Sequence, residues 1–245
     1  MARLRSALDR YDAIALVLLL AASALALVQG WLADHPEHDP RAPLALDQRA
    51  GWATGTKLAD LRRDRVACTG FLARSGLAAE PLPPVGEGEC RRADRQRLGA
   101  AGDLGVALSP AAAEGTCAVD AALAWWLRHG VQDAAREYLG SRVTGIEHLG
   151  TVNCRRIGGG DAGNWSEHAR GNAIDVAGFV LADGRRVRVR DDWGGAEGKG
   201  AFLHAVRDAA CRPFATVLSP DYNAAHADHL HLDQAQRTLR ASVCR

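Results

Sequence analysis

The stretch from Ala13 to Ala33, 21 residues without a charge, constrains this chain more than any other feature. About 20 apolar residues suffice for a helix to cross a bilayer, and Arg3, Arg5 and Arg10 all precede the run, which keeps that end in the cytoplasm. The stretch reads as an uncleaved signal anchor over residues 13–33, with residues 1–12 cytoplasmic and everything after Ala33 outside. Ala24-Leu25-Ala26 has the small-x-small pattern of a signal-peptidase site and supports the competing view of a cleaved leader. Apolar residues continue past that site, and Trp31 suits a membrane–water boundary, so the anchor is favoured.

All six cysteines, Cys68, Cys90, Cys117, Cys154, Cys211 and Cys244, follow the anchor, as disulfides in an oxidising compartment would. No Cys-x-x-Cys pair points to a structural zinc site or a redox centre. Among fifteen pairings the sequential set is expected: Cys68 with Cys90, Cys117 with Cys154, Cys211 with Cys244. Acids and bases nearly balance, 29 against 30, so no basic nucleic-acid face is indicated.

Proline and charge concentrate in HPEHDPRAP, placing a linker at 34–55 that includes His35 and His38. A helical supporting subdomain is expected at 56–108, beginning with an irregular helix from Thr56 to Ser75 that carries Leu58, Leu61, Val66, Cys68 and Leu72. The main domain is expected at 109–245. Ser109-Pro110 reads as a helix start. Apolar residues at helical spacing run from Cys117 to Leu139, with Gly130 bending or dividing that helix and Trp125 and Trp126 in the core. A second amphipathic helix fits Ala201 to Cys211, before Pro213. Strands fit Ala173 to Val180, the alternating Arg186 to Arg190 beyond an Asp183-Gly184 turn, Thr216 to Leu218, and His229 to Asp233. Without a βαβ rhythm, the fold class is α+β: a small antiparallel sheet flanked by helices.

The chemistry lies in two of those strands. In HLHLD, Leu230 and Leu232 point to one face while His229, His231 and Asp233 share the other. If Asn172 to Val176 is a strand, Ile174 and Val176 pack inward and Asp175 projects outward, with His168 ahead of it in a loop that Gly171 can fold back. Two histidines and a carboxylate with an open fourth position suit catalytic zinc, whereas magnesium and calcium prefer oxygen shells. A solvated strand face is the plain alternative.

SEHARGNAID resembles the S-x-H-x-x-G-x-A-x-D signature of the D-Ala-D-Ala metallopeptidases, a fold group that includes murein endopeptidases and the hedgehog signalling domain, and the later His-x-His resembles its second half. More closely, CRRIGG, SEHARGNAIDVAGFVLADG, the Trp193 region, AFLHAVRDAACRPFATVLSPDYNAAHADHLHLD and the terminal Cys-Arg look like the bacterial extensin-like C-terminal domain family, over roughly Cys68 to Arg245. With 9 prolines the chain lacks the repeats of plant extensins.

The resemblance implies that the sheet carries a zinc site with His168, Asp175 and His231 as ligands. Many relatives place a glutamate three residues before the last ligand, where this chain has Asp228. His229 resembles the extra histidine of the murein endopeptidases and is the preferred base or transition-state stabiliser, with His226 assisting and Asp228 as runner-up. Arg155 matches the position of a substrate- or oxyanion-holding side chain, and Arg156 fits by spacing as well. Ser166 either bonds near the metal or shapes the turn; Glu167 is expected to point away. The implied function is a membrane-anchored, periplasm-facing zinc hydrolase cutting an amide in peptidoglycan peptides, as carboxypeptidase or endopeptidase. The alternatives are a non-catalytic zinc-containing module that binds or supports the cell wall, and a domain with no metal. The implied compartment is the periplasmic side of an inner membrane, crossed once.

Overall fold

The computed structural model describes residues 2–77, 79–98, 104–111, 113–196, 198–237 and 242–245, with side chains described from Tyr11 onward. The side chains of Arg3, Arg5 and Arg10 lie outside the described residues. Helix α1 (Ala2–Asp34) contains the apolar stretch, and Tyr11–Asp34 is long and apolar enough to cross a membrane, with mean hydropathy 2.3 and none of it buried in the protein. The remainder mixes helices with two sheets.

The larger sheet gathers seven strands: β3 (Ala107–Ser109), β5 (Val143–Gly150), β6 (Ala173–Leu181), β7 (Arg186–Arg188), β8 (Thr216–Leu218), β9 (Leu230–Asp233) and β10 (Val243–Cys244). Its main path runs β10-β8-β9-β6-β5-β3, with β7 also pairing with β6. The central pairs are antiparallel, whereas β3 with β5 and β10 with β8 are parallel, so the sheet is larger and more mixed than the sequence suggests. The smaller antiparallel sheet joins β1 (Ala79–Pro81), β2 (Gln96–Leu98) and β4 (Glu114–Gly115).

Helix α4 (Cys117–Trp126) separates two cores. Val119, Ala122, Leu123 and Trp126 pack with Ile174, Val176, Phe179, Leu230 and Leu232 of the large sheet and with α7 (Lys199–Ala210). Cys117, Ala121, Ala124 and Trp125 pack instead with Leu44, Leu46, Leu58, Leu61, Phe71 and Leu72. Both tryptophans are thus core residues, and the Trp126 indole donates to the Val206 carbonyl at 2.7 Å.

Several local expectations need correction. The Thr56–Ser75 helix is two helices, α2 (Thr54–Leu61) and α3 (Arg65–Arg74), because Asp64 caps the second by accepting from the Ala67 amide at 2.9 Å. Val66 is exposed as a result. Ser109-Pro110 starts no helix, since Ser109 closes strand β3, and Thr116 is the residue that caps α4. Gly130 does not divide the helix. The helix continues from α4 through a widened π segment (Leu127–Val131), α5 (Gln132–Ala134) and a second π segment to Leu139. A Cβ at Gly130 would lie 2.7 Å from that of Ala209, so this glycine permits close approach to α7. The arginine strand stops at Arg188, and Val189 opens the short α6 (Val189–Asp192).

The disulfides join Cys68 to Cys117, Cys90 to Cys154, and Cys211 to Cys244. Only the last is the expected sequential pair. Packing of α3 against α4 brings the Cα atoms of Cys68 and Cys117 within 6.1 Å, overriding nearness in sequence. The first two bridges close separations of 49 and 64 residues. Each removes unfolded-chain entropy worth roughly 4 kcal/mol.

Candidate metal centre

Strand pairing places Asp175 of β6 directly opposite His231 of β9, while their neighbours Ile174, Val176, Leu230 and Leu232 fill the helix-backed core. Alternation therefore turns both polar side chains onto the opposite face of the sheet. His168 arrives from a 3-10 turn over Glu167–Arg170, in which Ser166 accepts from the His168 amide and Gly171, at φ 70°, reverses the chain into β6. Ser166 thus shapes the turn.

The three side chains converge closely. His168 Nε2 lies 3.1 Å from Asp175 Oδ1 and 3.1 Å from His231 Nδ1, and His231 Nδ1 lies 2.9 Å from Asp175 Oδ1. Among the described residues, this is the group of three metal-type side chains whose ligand atoms lie within 4.8 Å of one another.

The outer contacts of the two imidazoles define what the cluster lacks. His168 Nδ1 lies 3.1 Å from the Thr151 carbonyl, an acceptor only, so this nitrogen carries the proton and Nε2 presents a lone pair. His231 Nε2 lies 3.1 Å from Asp233 Oδ2 and donates to it, leaving Nδ1 as a lone pair. With both rings neutral, two nitrogen lone pairs and a carboxylate oxygen face one another with no donor among them. Such a set calls for a positive charge, and histidines whose remote N–H groups are held by a carboxylate and a carbonyl are oriented as metal ligands are.

Without a cation, ring protons supply that charge instead and turn the same contacts into donors to Asp175. Burial pushes Asp175 up, but hydrogen bonds and charge from His168 and His231 more than reverse it and hold the carboxyl well below the usual range. Burial pushes His231 down, yet its bonds to Asp175 and Asp233 lift it to about 9. A proton on His231 is one way to supply the missing charge; a divalent cation is the other. Nitrogen and oxygen donors held 2.0–2.1 Å from one tetrahedral zinc lie about 3.4 Å apart, close to the spacing seen. The residues fit zinc.

His229 stands beside the cluster. Its Nδ1 donates to Asp228 Oδ1 at 2.8 Å, which leaves the Nε2 lone pair 3.6 Å from Asp175 Oδ1. Asp228 is occupied on both sides, since its Oδ2 also accepts from Arg190 at 2.6 Å. The bond to His229 and then the Arg190 pair hold the Asp228 carboxyl below its ordinary value. His226 completes a row of imidazoles, 5.3 Å from the His229 ring and 6.0 Å from that of His231, with Nδ1 against Asn223 Oδ1 at 2.8 Å. Burial, then the charges of His229 and His231, push it down to about 4, and Arg155 adds to the effect.

Arg155 is therefore within electrostatic reach of this row, and its guanidinium has no ion-pair partner among the described residues. Arg156 is otherwise engaged, lying 4.4 Å over the Trp165 ring and bonding the Gly163 carbonyl. Glu167 accepts from Asn172 Nδ2 at 2.6 Å and lines a separate cleft of about 420 Å³ with Arg62, Arg91 and Arg170. Thr151 and Arg190 are the participants that sequence reasoning misses. Thr151 contributes a backbone carbonyl, which leaves no trace in residue type, and Arg190 sits far along the chain in a basic run that reads as a solvated face. Asp233 gave a signal through its place on the His231 face, but not its bond to the ring.

Residues 66–245 match the family described as Extensin-like protein C-terminus. No curated protein and no solved structure matches the chain. The match spans both halves of the metal-type cluster and all six cysteines, and by it the chain belongs to the extensin-like protein C-terminus family.

Proposed function

We propose that this protein is a zinc-dependent hydrolase that cleaves an amide bond in peptidoglycan peptides, on a domain related to the D-Ala-D-Ala metallopeptidases and murein endopeptidases. The observation that carries the reading is the convergence of three lone-pair donors with a fourth, His229 Nε2, set beside them. His168 Nε2, Asp175 Oδ1 and His231 Nδ1 would hold the metal. When bound, zinc would supply Lewis acidity, polarising a scissile carbonyl and lowering the pKa of a coordinated water toward about 7.

The chain's own groups serve the remaining needs. Thr151 and Asp233 fix the tautomers of the two histidine ligands. His229 Nε2 accepts the proton of the attacking water and returns it to the departing amine, while Asp228 keeps the His229 proton on Nδ1. Asp228, with both carboxylate oxygens engaged, serves as an orienting group and leaves proton transfer to His229. Arg155, without an ion-pair partner among the described residues, binds a substrate carboxylate or the developing oxyanion. The membrane-spanning stretch and the three disulfides support a site working outside an inner membrane, where peptidoglycan lies.

The test is to incubate zinc-loaded and metal-free protein with purified muropeptides and sacculi and to weigh the products. Hydrolysis adds one water across a peptide amide in the zinc-loaded sample only. Full cleavage by the metal-free protein refutes the mechanism. Zinc retained without any cleavage points to a wall-binding or structural module.

A further inference from the structure

The segment between α1 and α2 is not a free tether. Directly after α1, His35 Nδ1 meets the Trp31 carbonyl at 2.9 Å, and Pro36–His38 forms a single 3-10 turn. The rings then build a stack: Trp31 on His35 at 4.5 Å, Trp31 on His38 at 5.2 Å, and Trp52 edge-on to both His38 and Trp31, at 4.9 and 5.8 Å. The Trp52 amide donates to His38 Nδ1 at 3.2 Å and its indole to the His38 carbonyl. Lys57, buried in α2, donates to the Pro36 carbonyl at 2.6 Å, and Gly51 packs against the backbone of Glu37 so closely that a Cβ would collide.

This assembly is continuous with the folded domain. Leu44 and Leu46, between the two ends of the stack, are buried with α2, α3 and α4, and the Leu46 carbonyl bonds His129 Nε2 at 2.7 Å. The end of α1 is thereby fixed to the domain through rings, hydrogen bonds and a shared core. Yet Trp52 is 71% exposed and Trp31 42% exposed. Two large aromatic surfaces left in water at the end of an apolar helix carry an unmet hydrophobic demand. The boundary layer of a bilayer meets it, because an indole there buries its ring while its N–H keeps a polar partner, which for Trp52 is the His38 carbonyl.

We propose that Trp52 lies in the headgroup layer of the bilayer spanned by α1, so that residues 35–52 form a rigid collar seating the domain on the membrane surface. The depth follows from the geometry. Trp31 is within one turn of Asp34, where the apolar stretch ends, and so sits at the membrane boundary. A ring 5.8 Å from Trp31 cannot stand clear of that layer. The inference rests on α1 being an uncleaved span and is independent of the hydrolytic chemistry.

The experiment uses the full chain in phosphatidylcholine–phosphatidylglycerol vesicles, plain or with bromines on the acyl chains near the headgroups, and reads tryptophan emission. In Trp31→Phe, which keeps an aromatic ring in the stack, brominated lipid lowers the emission, and adding Trp52→Phe abolishes that loss. Equal quenching in the single and double variants overturns the collar while leaving the anchor intact. Release of the chain from membranes by alkaline carbonate overturns anchor and collar together.

Discussion

Asp233 is the residue through which the tautomer argument is most exposed to test. Its Oδ2 accepts from His231 Nε2 at 3.1 Å while Oδ1 accepts from the Ala235 amide at 2.9 Å, so both neighbours are donors and only a carboxylate serves both. Asp233→Asn is isosteric but offers one oxygen. With that oxygen toward His231, its NH2 opposes the Ala235 N–H; flipped, the NH2 donates to His231 Nε2 and drives the ring proton onto Nδ1, into the metal-type cluster. Either arrangement removes a charge-assisted hydrogen bond worth about 1.5–3 kcal/mol from a part-buried pair. Zinc affinity should therefore fall roughly 10- to 100-fold, the range known for loss of an outer partner of a histidine ligand. Asp233→Asn should be no milder than Asp233→Ala, the reverse of what size alone predicts. Competition with a chromogenic chelator measures the affinity, with circular dichroism to confirm folding. Wild-type affinity in a folded Asp233→Asn variant, alongside loss in Asp175→Ala, would refute the reasoning.

Asp120 is fully buried, and burial, offset in part by the Gln96 side chain at 2.6 Å, pushes its carboxyl up to about 7. A folded pKa above the unfolded value of 3.8 means that stability present below pH 3.8 is lost as pH rises toward 7. Asp120→Asn should therefore gain about 2 kcal/mol over wild type between pH 5 and pH 7 in urea unfolding; a pH-independent difference contradicts it. Gly130→Ala should destabilise by about 1–3 kcal/mol through overpacking against Ala209, read as a lowered Tm. His229→Ala should keep zinc and lose muropeptide cleavage by roughly 100-fold or more, which product mass spectrometry checks.

What was legible in the sequence is what local periodicity encodes. HLHLD places His231 and Asp233 on one face because its leucines must enter the core, and Ile174 and Val176 aim Asp175 in the same way. Gly171 announces the reversal that brings His168 back. What was not legible depends on contacts distant in sequence. The register that sets Asp175 opposite His231 is fixed by the pairing of two strands, and the Cys68–Cys117 and Cys90–Cys154 bridges follow from helix packing and from the path into the site. Competing local signals account for other differences. Asp64 splits an apparently continuous apolar pattern by capping a new helix, and the linker expected at 34–55 also holds the buried Leu44 and Leu46.

The most direct test of the central claim is the zinc content of the purified, folded chain. Elemental analysis after dialysis should find one zinc per wild-type molecule and none in His168→Ala or His231→Ala, while His229→Ala retains it. A folded wild-type protein that takes up no zinc, or His168→Ala and His231→Ala variants that still hold it, would contradict the account.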